Sequence, residues 1–129
     1  DGSPILKLEI PNHNINQIVL NSTSGQSLAF GTGFHQETYL PHLNKTTAIS
    51  SHRDSHGTFI KKLKIGDIIE LQDLNNNWYK YRVDNFFIVN VSDNINLNQH
   101  NGLLLITCYP FDALTSGTAL RYIVVSSKI

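Results

Sequence analysis

No apolar run in this 129-residue chain is longer than a single strand, and turn residues break the runs at short intervals. Short runs bounded by Gly, Pro and Asn clusters close sheets rather than extend helices, so the rhythm predicts an all-β domain. Leu6 to Ile10 and Gln17 to Leu20 are two such runs, separated by Pro11-Asn12-His13-Asn14. Thr47 to Ser51 reads as a strand leading into the polar segment His52-Arg53-Asp54-Ser55-His56. Asp67 to Leu74 and Trp78 to Val83 read as a hairpin across Asn75-Asn76-Asn77, residues that tolerate positive φ. In its second arm Tyr79, Tyr81 and Val83 alternate with Trp78, Lys80 and Arg82, the period of a half-buried strand. Phe86 to Val91 continues the sheet, and Leu103 to Cys108 and Arg121 to Ser126 close the chain. Gly25 to Phe30 reads as one helical turn ended by Gly31-Thr32-Gly33. Thr58 to Leu63 reads as a short helix with Phe59, Ile60 and Leu63 on one side.

With 40% hydrophobic and 16% charged residues, the chain has the composition of a globular protein, and residues 1–129 read as one domain. Ten basic residues balance ten acidic ones. That balance argues against nucleic acid, because phosphate binding needs a concentrated basic excess. The one basic cluster, Lys61, Lys62 and Lys64, reads as a solvated face. No run approaches the roughly 20 apolar residues that span a bilayer. The opening Asp1-Gly2-Ser3-Pro4 carries no signal-peptide pattern and fits a truncation point, which leaves room for an anchor outside residues 1–129.

Cys108 is the single cysteine, so no intrachain disulfide forms and the core must hold the fold. A lone cysteine is often only an inert core residue. Strand parity supplies context. Leu104, Ile106 and Cys108 share one face of their strand, and Arg121, Ile123 and Val125 share one face of the last. If the two strands are antiparallel neighbours, Cys108 and Arg121 come to the same sheet edge, with the intervening residues 109–120 as a loop beside it. A cysteine nucleophile needs a base, because a free thiol of pKa about 8.5 is mostly protonated at neutral pH. Histidine can serve as that base and then as an acid, and arginine can hold an oxyanion. Chemistry alone does not choose among His13, His35, His42, His52, His56 and His100.

Leu105-Ile106-Thr107-Cys108 resembles the Leu-x-Thr-Cys signature of sortases, and Arg121 opens Arg-Tyr-Ile-Val-Val as the sortase arginine does. Ala48-Ile49-Ser50-Ser51-His52-Arg53-Asp54 resembles the family's Ala-Gly-His-Arg-Asp segment. Leu8-Glu9-Ile10-Pro11, Leu28-Ala29-Phe30-Gly31-Thr32-Gly33 and Leu63-Lys64-Ile65-Gly66-Asp67 resemble further family segments, so the likeness runs from Leu6 to Val125. Cys108-Tyr109-Pro110-Phe111 is similar to class D-like sortases, and with His52-Arg53-Asp54-Ser55-His56 to proteobacterial ones. One departure stands beside the histidine: Ser51 replaces the usual glycine, adding a side chain with consequences for ring orientation and substrate fit.

The resemblance implies a closed β-barrel of about eight strands with one or two short helices. It implies a cysteine transpeptidase in which Cys108 attacks the threonine carbonyl of a Leu-Pro-x-Thr-Gly-like sorting signal. His52 serves as acid and base, Arg121 holds the oxyanion or the peptide, and Thr107 contacts the substrate. The acyl half passes to an amine acceptor, and the domain works on the extracytoplasmic face of the bacterial membrane, tethered by a segment outside residues 1–129. A salt bridge from Arg121 to Asp112 or Asp54 is the plain structural alternative for that arginine. A thiol hydrolase on the same residues, or a barrel that only binds peptide, are the alternatives for the whole. His56 reads as an exposed loop histidine. The His52-x-x-x-His56 spacing would suit zinc only on a helix, and here it follows a strand, so no metal is expected. No cofactor is implied, and the spacing does not decide whether calcium is required.

Overall fold

The computed structural model describes residues 2–21, 32–51, 59–93, 96–110 and 119–129. Eight strands form a closed barrel: β1 (Pro4–Ile10), β2 (Ile15–Leu20), β3 (Thr32–Phe34), β4 (Thr47–Ser50), β5 (Ile68–Gln72), β6 (Trp78–Asn90), β7 (Gly102–Tyr109) and β8 (Leu120–Lys128). Around the barrel the order is β1-β2-β3-β4-β7-β8-β6-β5. β2–β3 and β4–β7 pair in parallel, and the other pairs are antiparallel. Among the described residues, no helix is long and apolar enough to cross a membrane.

Local sequence explains the hairpins. β1 sends Leu6, Leu8 and Ile10 inward on alternate positions. Pro11, which has no N–H for a ladder, then starts a single 3-10 turn, and Asn14 completes the reversal at a left-handed φ of 54°. Between β5 and β6 the Asp73 side chain accepts from the main-chain N–H groups of Asn75 and Asn77, and Asn76 takes φ 64°. β6 is one long strand serving two neighbours. Residues 78–82 pair with β5 and residues 81–90 with β8, across a bulge between Val83 and Asn85. The bulge resets the alternation so that Phe86 follows Val83 into the barrel-facing set.

β7 is buried on both faces. Leu103 and Leu105 enter the barrel core with Ile49, Tyr81, Val83 and Val124. Leu104 and Ile106 point outward into a second, smaller cluster with Ala48 and Ile123, against which Val89, Val125 and Leu97 pack. At the start of the strand, a Cβ on Gly102 would stand 2.1 Å from the Ser126 carbonyl oxygen and 2.7 Å from His100 Nε2. Only glycine admits the His100 ring there, and that ring hydrogen-bonds the Ser126 carbonyl at 2.8 Å.

The strands expected from the sequence are present, with one addition. Thr32 and Gly33, read as part of the turn Gly31-Thr32-Gly33, instead begin β3 (Thr32–Phe34), joined to β2 and β4. Three residues are too few to show alternation, and all three are buried. The expected helical turn at 25–30 lies outside the described residues. The segment 58–63 contains a single 3-10 turn, Ile60–Lys62, that buries Ile60 against the core. Three more such turns occur among the described residues, at Pro11–His13, Pro41–Leu43 and Leu97–Gln99.

Candidate active site

β7 and β8 run antiparallel with Cys108 directly opposite Arg121, Ile106 opposite Ile123 and Leu104 opposite Val125. Direct partners project to the same face with Cβ atoms about 5 Å apart. Cys108 and Arg121 therefore stand side by side on the outer face of the barrel, at the end of the apolar strip made by Leu104, Ile106 and Ile123. β4 borders the strip on the other side, with Ala48 beside Leu104 and Ser50 beside Ile106. β6 adds Val89 beside Arg121 and Phe87 beside Ile123, and Phe87 is half exposed. The result is a floor of alternating strand positions, apolar in its lower part and ending in a thiol and a guanidinium.

Cys108 is a free thiol of intermediate exposure, as a nucleophile must be. The Arg121 guanidinium donates from Nη1 to the Leu120 carbonyl at 2.9 Å, which fixes its base against its own strand. On the opposite face of these strand ends three aromatic rings stack. Tyr122 lies 5.8 Å from Phe86 and 6.0 Å from Tyr109, centroid to centroid. Burial, and then the neighbouring Tyr109, raise the Tyr122 hydroxyl above its ordinary pKa, so it stays neutral. Each stack adds about 0.5–1.5 kcal/mol beyond area burial. Tyr109 and Tyr122 follow Cys108 and Arg121 directly, so the stack braces those two positions from behind.

Thr107 faces away from Cys108, with the parity of the core residues Leu103 and Leu105. It is 3% exposed, and its hydroxyl has no hydrogen-bond partner among the described residues. An unpaired buried hydroxyl costs about 1–3 kcal/mol, so this one calls for an explanation. Ser51 has the same inward parity. Its hydroxyl bonds Thr32 Oγ1 at 2.9 Å, and Thr32 in turn donates to Gln17 at 2.5 Å. The side chain that replaces the family glycine is thus turned to the barrel wall, where it ties β4 to β3 and β2. It does not enter the groove.

His52, which follows Ser51, lies outside the described residues, as do His56, Asp54 and Asp112. Three of the described histidines are held elsewhere. His13 bonds Asp67 at 2.8 Å, His100 bonds the Ser126 carbonyl, and His35 bonds Ser50 and Glu37. Sequence reading missed the last trio; its one available signal was that Ser50 shares the alternation of Ala48 on β4. Burial opposes the charge on Glu37, but its own main-chain N–H and the His35 ring bring its carboxyl below the usual range. Among the described residues, no group of three His, Cys, Asp or Glu side chains is placed to hold a metal ion.

A thiol, a guanidinium and an outer apolar cluster at the end of two antiparallel strands mark a candidate cysteine site on a β-barrel. Comparison with known proteins gives that class its family. The family model described as Sortase domain matches residues 8–129, and the chain belongs to the sortase family. It is 30% identical over 125 residues to Sortase D of Bacillus subtilis (strain 168), across 95% of this chain. The chain spans 62% of that relative's length. Its relation to a Sortase D agrees with the class D-like run Cys108-Tyr109-Pro110-Phe111. The barrel superposes on the Clostridium perfringens Sortase D5 transpeptidase with a TM-score of 0.83 at 23% identity, covering 100% of this chain and 81% of that one. It superposes on Clostridium perfringens sortase C, solved with its C-terminal cell wall sorting motif, with a TM-score of 0.81 at 26% identity, covering 100% and 72%.

Proposed function

We propose that the chain is a cysteine transpeptidase that cleaves a Leu-Pro-x-Thr-Gly-like sorting signal and passes the acyl half to an amine. The observation that carries the reading is the placement of Cys108 and Arg121 as direct partners at the end of the outer apolar cluster. A sortase C at 26% identity was solved with a sorting motif, which supports a peptide of that kind as the substrate here.

In the first half-reaction Cys108 gives its proton to His52 as its Sγ bonds to the threonine carbonyl carbon, and the charge that develops on oxygen is met by Arg121. The C–N bond breaks as His52 gives its proton to the leaving amine, leaving a thioester on Cys108. In the second, His52 takes a proton from the incoming amine, the amide forms, and the thiol returns. Thr107 belongs to the proposal as the residue the family resemblance assigns to substrate contact, although its side chain faces the barrel interior and not the Cys108 face. The domain acts at the bacterial cell envelope, on the extracytoplasmic face, with a tether outside residues 1–129. The acceptor is an amine.

Intact mass after incubation with sorting peptides tests the reading. A mass increase equal to the acyl fragment, present on wild type, absent from Cys108→Ala and discharged faster by added amine, is the expected result. Discharge at a rate indifferent to amine would make the protein a thiol hydrolase. Binding without any adduct would make it a peptide-binding barrel.

A further inference from the structure

Ser50 stands beside the outer apolar cluster, on the face that carries Cys108, and the acyl transfer above makes no use of it. It is the β4 partner of Ile106 and shares the face that carries Ile106 and Cys108. Ile106, Leu104, Ala48 and Ile123 around it are apolar, so its hydroxyl is the polar atom in an otherwise hydrocarbon floor. Strand geometry puts its Cα roughly 8 Å from that of Cys108, one strand across and two residues back, and thus about two residues along an extended peptide.

The hydroxyl is held from behind. Ser50 Oγ bonds His35 Nε2, and His35 Nδ1 bonds Glu37 Oε1 at 3.1 Å. His35 itself is pinned: its main-chain N–H donates to the Ala48 carbonyl at 2.9 Å, and its carbonyl accepts from Thr38 N–H at 3.0 Å and Thr38 Oγ1 at 2.7 Å. A carboxylate can only accept, so when the His35 ring carries a single proton the Glu37 bond places it on Nδ1 and leaves Nε2 as a lone pair. Ser50 must then donate its proton to Nε2. Both lone pairs of Oγ remain, and among the described residues nothing donates to them. Ser50 is 8% exposed, so part of its surface stays open.

We propose that Ser50 is a hydrogen-bond-accepting subsite of the groove, selecting a sorting signal with a donor side chain about two residues from the scissile bond. A hydroxyl or a carboxamide N–H fits it; an isosteric hydrocarbon leaves the oxygen desolvated and unpaired. His35 and Glu37 are positioning residues that set the direction of the Ser50 proton. The proposal rests on the reading of this groove as the sorting-signal site.

The test is binding of fluorescent peptides to the Cys108→Ala protein, which removes turnover from the readout. The peptides are pairs differing only as Thr against Val or Asn against Leu, at each position within three of the scissile bond. At one position the donor peptide should bind about five- to tenfold more tightly than its isostere. Adding Ser50→Ala should bring that ratio to about one. His35→Phe should also erode it, whereas His35→Gln, whose amide oxygen still accepts from Ser50, should keep it. Absence of a donor preference at every position, or a preference unchanged by Ser50→Ala, would overturn the subsite. Failure of the transpeptidase reading shows separately, as wild-type protein that binds a peptide yet forms no thioester.

Discussion

Cys108 and Arg121 are direct partners across the β7–β8 ladder, so backbone hydrogen bonding, and not a flexible loop, sets the position of the guanidinium relative to the thiol. The Arg121 Nη1 bond to the Leu120 carbonyl adds a second constraint within the strand. The stacked rings of Tyr109 and Tyr122 add a third, on the reverse face.

The Arg121→Lys variant isolates what that geometry contributes. Lysine keeps the charge but loses the planar fork and its several fixed donors. The rate of thioester formation should fall on the order of a hundredfold, the scale of losing one oxyanion donor, with the thermal unfolding midpoint little changed. Single-turnover acylation followed by mass spectrometry measures it. A wild-type rate would leave Arg121 only a role as a charge.

Thr107→Val separates stability from function at the residue before Cys108. The variant keeps the shape and removes a buried hydroxyl that has no partner among the described residues, so unfolding in urea should show a gain of about 1–3 kcal/mol. Acylation should slow at the same time if the hydroxyl is reserved for substrate, as proposed. An unchanged rate with the same gain in stability would remove Thr107 from the site.

Asp67 links stability to acid. Burial alone would raise its carboxyl, but hydrogen bonds from His13 and the Lys64 main chain, with the charges of both residues, bring it below the ordinary value. A carboxyl depressed in the folded state stabilises the fold above its unfolded pKa, near 3.9, and loses that contribution as the pH falls through its folded pKa. Asp67→Asn should therefore destabilise the protein at neutral pH, with the gap from wild type closing as the pH is lowered towards 3. Urea midpoints across that range check the sign; a gap that widens in acid would reverse it.

The barrel strands were legible because their signal is local. Leu6, Leu8 and Ile10, or Tyr79, Tyr81 and Val83, declare a buried face within a few residues of each other. The same alternation put Cys108 and Arg121 on matching faces, and the ladder then joined those faces at one edge. Turn chemistry at Asn14 and Asn76 was equally local. β3 escaped because three buried residues carry no period, and a glycine in the middle reads as a turn.

Sequence alone determined which residues can form strands, which faces they bury, and which family motifs they carry, since each depends on near neighbours and on residue chemistry. Tertiary structure decided the rest. The parallel joins of β2 to β3 and β4 to β7 bring together segments far apart in the chain, and no local pattern encodes them. The double burial of β7 depends on an outer cluster assembled from β4, β7 and β8. The hydrogen bond of His35 to Ser50 crosses 15 residues and that of His13 to Asp67 crosses 54. A histidine's partner is set by what the closed barrel carries to its ring, and that is fixed only when the strands have paired.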